Sequence, residues 1–160
     1  MIAIIILFLI SLFLSSIMPN ILREFIPFFM IAVIVIVSSF KVEEKNIYIT
    51  CFLFGVIYDL MYTNLVIFHG FLYVFILFLC KIILKNNNFF LYVFTYYLMV
   101  VIYNITMFVF AVLCTNVNVN YIINMGVKSI FINSIFFVIL YLLFIGIRCL
   151  FCNRKKRRTY

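Results

Sequence analysis

The sequence has few charged residues. Asp, Glu, Lys and Arg make up only 10% of its 160 residues, which is too little to cover the surface of a soluble domain of this length. Hydrophobic residues make up 69%, whereas a typical soluble protein has about 45–50%. This composition excludes an ordinary cytosolic enzyme, a disordered chain and a secreted disulfide-rich domain. A polytopic α-helical membrane protein remains.

Acidic residues are scarcer than basic ones. Four Asp and Glu stand against twelve Lys and Arg, which gives a net charge of +8. Five of the basic residues are contiguous near the C-terminus: Arg154, Lys155, Lys156, Arg157 and Arg158. Because this cluster follows an apolar segment, it predicts membrane orientation and contact with anionic lipid, and we expect no nucleic-acid partner.

The usual catalytic patterns are missing. A single Asp cannot form an intramembrane aspartyl pair, and a single His without an H-E-x-x-H motif argues against a zinc protease. Neither a G-x-S-x-G motif nor a phosphate-binding lysine loop occurs. The five cysteines are scattered, and Cys149 and Cys152 form one C-x-x-C without a second pair, so we interpret them as small apolar residues. We therefore expect no enzyme activity, no catalytic residue, no cofactor and no metal.

Six apolar segments are long enough, or nearly so, to cross about 30 Å of hydrocarbon. They run over residues 1–18, 21–40, 47–62, 65–84, 89–114 and 126–151. The first has no preceding Lys or Arg and no cleavage pattern after it, so we expect a retained span and not a signal peptide. The pattern predicts an all-α domain of six transmembrane helices at 1–151 and a basic cytoplasmic tail at 152–160. A re-entrant hairpin built from the third and fourth segments remains an alternative.

The basic residues near the span ends predict which side each end faces. With the tail in the cytoplasm, six spans place the N-terminus there as well. The cytoplasmic set is then Lys41, Lys45, Lys81, Lys85, Arg148 and the five tail residues, and the outer set is Arg23 and Lys128. We therefore expect a multi-pass membrane protein with both termini in the cytoplasm.

Polar side chains collect in the outer halves of the predicted spans. Asp59, the one Asp, lies near the outer end of the third span, and His69, the one His, lies near the start of the fourth, each five residues from Asn64. An antiparallel pair of helices would place them at similar depth. Gly55, Asp59 and Thr63 follow one helical stripe. The predicted cluster is Gly55, Asp59, Thr63, His69, Asn104 and Asn133, with Ser129 and Ser134 beside it.

Three interpretations of this polar cluster stay open. Polar side chains in membranes often serve as hydrogen-bonding contacts between helices, and Asp59 would then pair with Arg23 or His69. The cluster could instead dock a partner protein, or it could bind a ligand or relay protons, because charged groups within a membrane are costly and often functional. The tyrosines Tyr92, Tyr96, Tyr97 and Tyr103 fit a core or an interfacial belt better than a cofactor site.

The segment from Gly55 to Asn64, GVIYDLMYTN, resembles the G-x-x-x-D-L signature in the third span of the MreD family of rod shape-determining membrane proteins. Tyr62 and Thr63 are similar to the version found in Gram-positive bacteria. The chain length, six spans, the Pro19-Asn20 break, Pro27 and the short basic tail also fit. One position departs from the pattern, because Ile67 stands where the family usually has a glycine.

The resemblance implies a non-enzymatic, multi-pass scaffold of the cell-elongation complex in the bacterial cytoplasmic membrane. Members of the family associate with the bitopic protein MreC, and through it they link MreB filaments to the peptidoglycan synthases RodA and the class B penicillin-binding protein. Their fold is similar to the six-helix S components of energy-coupling-factor transporters. The alternative function is therefore an S component that binds a small vitamin-like substrate from outside. Against it, the first span lacks the small residues spaced by four that such proteins use for docking, because Ala3 is followed by Leu7.

Overall fold

The computed structural model describes residues 1–21, 28–40, 43–63, 67–84, 88–114 and 119–156. Within these ranges the chain is helical and contains no strand, as the composition predicts. The helices are α1 (Ile2–Ile21), α2 (Phe29–Val37), α3 (Glu44–Tyr58), α4 (Phe68–Ile83), α5 (Phe89–Cys114) and α6 (Val119–Lys156). A π-helical turn, Asp59–Thr63, continues α3 without a break.

Within the described residues, three helical stretches are long and apolar enough to cross a membrane. They are Glu44–Thr63, Phe89–Phe110 and Ser129–Gly146, and two shorter apolar helices cover Ile2–Met18 and Phe68–Ile83. At a rise of about 1.5 Å per residue, the stretch formed by α3 and the π turn extends for about 30 Å. The third predicted span therefore has the length of a full crossing, although it was the shortest segment in the sequence.

The helix α2 is shorter than the sequence predicts. The apolar segment at 21–40 predicts a full span, but α2 has nine residues, and residues 22–27, which include Pro27, lie outside the described part. All nine residues of α2 are buried, and the helix contacts α1, α4, α5 and α6. A helix that is apolar on every side belongs in a core, and α2 is the central element of the described bundle.

The helix α6 is longer than the sequence predicts. It begins at Val119, inside the predicted polar connection at 115–125, and runs to Lys156, inside the predicted tail. The interval 119–125 contains no glycine or proline, so the helix begins there despite its asparagines. The expected boundaries at residues 126 and 151 are therefore not helix ends, because the same helix continues through both.

The predicted orientation depends on basic residues that are largely outside the described structure. Lys41, Lys85, Arg23, Arg157 and Arg158 lie outside the described residues, as do the side chains of Lys128, Arg148, Arg154, Lys155 and Lys156. Lys81 is described. Its Nζ lies 3.1 Å from an oxygen of Glu44 and 4.9 Å from the ring centre of Tyr48. This ion pair joins the start of α3 to the end of α4.

The helices α3 and α4 form an antiparallel hairpin whose backbones touch at Gly55. A Cβ atom added to Gly55 would lie 2.6 Å from the Cα of Gly70 and 2.6 Å from the carbonyl oxygen of His69. Small residues allow this close approach of helices within a membrane. The contact brings the first turn of α4 against the last turn of α3, which determines the geometry of the candidate site.

We predict that Gly55→Ala destabilises the hairpin by about 1–3 kcal/mol, because the added methyl group overlaps backbone atoms that cannot move independently. Gly146→Ala is the matched control, since a Cβ at this helical position meets no atom within 4 Å. Thermal unfolding can be followed with a thiol-reactive dye that detects exposure of the buried Cys51 and Cys80. Equal melting temperatures for the two variants would contradict the close contact.

Candidate functional site

Asp59 is the first residue of the π turn and is completely buried. A buried carboxylate is stable only when hydrogen bonds replace its lost water. The hydroxyl of Thr63 donates to Asp59 Oδ1 over 2.7 Å, and the backbone amide of His69 donates to Asp59 Oδ2 over 2.7 Å. His69 Nδ1 lies 2.5 Å from Asp59 Oδ1. Both carboxylate oxygens are therefore occupied by donors from the same chain.

Asp59 also caps the start of α4. The N-cap residue of this helix is Ile67, whose side chain has no acceptor atom. The first four amides of a helix have no partner within the helix, and a Ser, Thr, Asp or Asn at the N-cap usually accepts from one of them. Here a carboxylate from the preceding helix accepts from the amide of His69. Its negative charge also suits the positive end of the α4 dipole.

Ile67 has an unusual backbone conformation. Its φ is 74°, and among the described residues it is the one non-glycine residue with a positive φ. A β-branched side chain is strongly disfavoured in this left-handed region. Ile67 is also the position at which the sequence departs from the MreD pattern by lacking a glycine. The turn into α4 is thus formed by a residue poorly suited to it.

His69 extends the hydrogen bonds of Asp59 to a third helix. It is fully buried, and its Nε2 lies 3.0 Å from the hydroxyl of Tyr103 on α5. The rings of Tyr58 and Tyr73 pack against the imidazole, with centroids 4.8 and 5.6 Å away. We call Asp59, Thr63, His69 and Tyr103 the Asp59 network.

The structure brings together four of the six predicted cluster residues, namely Gly55, Asp59, Thr63 and His69. Asn104 is separate, because its Nδ2 donates to the carbonyl of Val100 within α5, over 2.8 Å. Arg23, the alternative partner of Asp59, lies outside the described residues.

Asn133 is buried at a second location. Its Oδ1 accepts from the backbone amide of Phe28 over 2.8 Å, and its Nδ2 donates to the carbonyl of Ser129 over 2.8 Å. Phe28 directly precedes α2, so the side chain of Asn133 ties α6 to the beginning of the central helix. The ring of Phe28 packs edge-on against Tyr103 at 5.9 Å. Asn133 is therefore linked to the Asp59 network through Phe28, whose ring packs against Tyr103.

Sequence reasoning missed Tyr103 as a member of the site. The residue pattern predicts that the tyrosines of α5 belong to a core or an interfacial belt. In the structure Tyr92, Tyr96 and Tyr103 are buried, whereas Tyr97 is 39% exposed. The helix α5 is apolar on nearly every side, so its sequence does not reveal which face points inward. Asn104, the polar residue next to Tyr103, lies at the same height along α5, but its side chain leaves the helix about 100° away from that of Tyr103.

The Asp59 network is suited to stabilising the packing of helices, because its hydrogen bonds join the π turn, α4 and α5. Its acceptors and donors are paired with each other, and Asp59, His69 and Tyr103 are buried, whereas Thr63 is half-buried. Among the described residues, no group of three His, Cys, Asp or Glu side chains could hold a metal ion. An apolar groove of about 560 Å³ does run between α5 and α6, where the hydroxyl of Tyr97 donates to Ser134 over 2.8 Å. None of the Asp59 network residues lines this groove.

No family model matches the chain, and no curated protein or solved structure matches it either. A function must therefore be inferred from the geometry of the Asp59 network and from the resemblance of the segment that contains Gly55 and Asp59.

We predict that Tyr103→Phe lowers the free energy of unfolding by about 1–3 kcal/mol, because Nε2 of the buried His69 loses its partner. Tyr96→Phe is the matched control on the same helix. The Tyr96 hydroxyl is buried and has no hydrogen-bond partner, so its removal costs no hydrogen bond. Chemical denaturation of both variants in detergent micelles measures the difference. A Tyr96→Phe variant as unstable as Tyr103→Phe would contradict this assignment.

Proposed function

We propose that this protein is a non-enzymatic, multi-pass scaffold of the bacterial cell-elongation complex, as its resemblance to the MreD family implies. The observation that carries the proposal is the state of Asp59. Both oxygens of its carboxylate are occupied by donors from the π turn and from α4. A carboxylate that is fully hydrogen-bonded within its own chain is suited to holding helices in place and poorly suited to binding a substrate.

The geometry also gives three positions of the MreD-like pattern a physical role. Gly55 permits the backbone contact with Gly70, and Asp59 caps α4. The position at which the family usually has a glycine is Ile67, whose φ of 74° a glycine would adopt without strain. These three roles support the proposal, because the residue type of the family pattern suits the geometry at each position, although this chain has isoleucine at position 67.

In the proposed topology the chain crosses the membrane six times, with both termini in the cytoplasm and an arrangement similar to that of the S components. The distribution of Lys and Arg supports this orientation. It puts the Lys81–Glu44 ion pair near the cytoplasmic surface and Asp59 in the outer half of the membrane. The central helix α2 is too short to cross alone, so in this arrangement it forms the inner part of the second crossing.

The proposed partner is a bitopic, MreC-like membrane protein, which would connect the scaffold to MreB filaments, RodA and the class B penicillin-binding protein. The π turn offers a direct link between Asp59 and such a partner. Leu60 and Met61 lie on this turn and are 67% and 59% exposed. Because the same turn holds the Asp59 carboxylate inward, loss of that carboxylate would change how these two apolar side chains are presented.

We predict that Asp59→Ala greatly reduces co-purification of the MreC-like partner and makes rod-shaped cells round when it replaces the wild-type protein. Asn104→Ala is the matched control, because the Asn104 side chain bonds only within α5 in the described structure. Partner recovery should be normalised to the amount of variant present in the membrane, so that poor expression is not mistaken for poor binding.

Normal cell shape together with an intact complex in Asp59→Ala would contradict the proposed role of Asp59. A small molecule bound stoichiometrically to the purified wild-type protein, detected by native mass spectrometry, would favour the S-component alternative instead.

A further inference from the structure

Two uncommon backbone features flank the outer end of the α3–α4 hairpin. The first is the π turn at Asp59–Thr63, which winds one extra residue into the end of α3. Such turns are rare and often occur at functional sites. If this turn changed to α-helical hydrogen bonding, the residues beyond it would advance by one position, which rotates them by about 100° around the helix.

The second feature is the left-handed conformation of Ile67. Strained residues of this kind persist only when the surrounding structure holds them in place. The N-cap position gives no side-chain bond to the helix that follows. The conformation of Ile67 must therefore be stabilised by contacts made elsewhere.

The side chain of Asp59 contacts both features. Its Oδ1 accepts from Thr63, the last residue of the π turn, and its Oδ2 accepts from the amide of His69, two residues beyond Ile67. A third bond joins it to the His69 ring. Asp59 thus connects the extra residue of the π turn to the strained start of α4.

We propose that the outer end of this hairpin is a two-state latch that Asp59 holds closed. In the closed state the π turn and the left-handed Ile67 are both present. When the bonds of Asp59 are lost, the π turn relaxes to an α-helix and Ile67 leaves the left-handed region. The strain at Ile67 favours opening, and the three bonds to Asp59 oppose it.

The latch also reaches α1. The hydroxyl of Tyr62, on the π turn, donates to the carbonyl of Leu12 over 3.0 Å. A rotation of the π turn breaks this bond and carries Leu60 and Met61 to new positions. Opening therefore changes the surface that α1 and the hairpin present together, whatever partner or lipid meets it.

The single histidine of the chain makes the latch directly measurable. Selective ¹⁵N-histidine labelling gives one backbone amide signal, from His69, and this amide donates to Asp59 only in the closed state. We expect Asp59→Asn to accelerate its hydrogen exchange about tenfold or more, as expected for loss of a charge-assisted hydrogen bond. Adding Ile67→Gly should slow the exchange again, because glycine removes the strain that favours opening.

Ile67→Ala is the matched control, because it shortens the side chain but keeps the Cβ that makes the left-handed region unfavourable. It should not slow the exchange of Asp59→Asn. If Asp59→Asn does not fold, Thr63→Ala removes the hydroxyl that donates to Asp59 Oδ1 but leaves the two bonds from His69, and it should show the same pattern with a smaller acceleration. Two results would overturn the latch. One is a His69 amide that exchanges as slowly in Asp59→Asn, or in Thr63→Ala if that variant is used, as in the wild type. The other is an equal effect of Ile67→Gly and Ile67→Ala on this exchange.

Discussion

A carboxylate enclosed by apolar side chains must be surrounded by donors, and this requirement organises one end of the molecule. Asp59 obtains its donors from the π turn and from the start of α4. The first turn of α4 can lie this close because Gly55 and Gly70 let the two backbones touch. The Nε2 atom of His69 is hydrogen-bonded to the hydroxyl of Tyr103, which extends the network to α5. Removing the charge at Asp59 would therefore affect three helices together.

The second constraint is the central position of α2. Its nine residues are all buried, and a helix without a polar face has no preferred rotation of its own. Asn133 supplies the missing specificity, because its side chain bonds the backbone of Phe28 just before α2 begins. The ring of Phe28 in turn meets Tyr103. The central helix and the Asp59 network are thus positioned by neighbouring contacts around one aromatic ring.

The sequence predicts the all-α fold and the limits of α5 because long apolar segments must be helical within a membrane. It also predicts that Asp59 and His69 lie at similar depth, since both are five residues from Asn64. It does not predict the length of α2, because a crossing helix and a buried core helix have the same apolar composition. For a related reason, the sequence predicts Asn104 as a member of the polar cluster, whereas the structure has Tyr103 in the network. A uniformly apolar helix does not show which of its faces points inward. The left-handed conformation of Ile67 is contrary to its residue type and follows only from tertiary contacts.

The central claim is that Asp59 and His69 stabilise the fold through each other. A double-mutant cycle with Asp59→Asn and His69→Phe tests it most directly, with unfolding free energies measured in the same detergent or lipid nanodisc. The network predicts a coupling energy above about 1 kcal/mol, because residues in one hydrogen-bond network are not independent. Effects that add within about 0.5 kcal/mol, the value expected of independent sites, would contradict it.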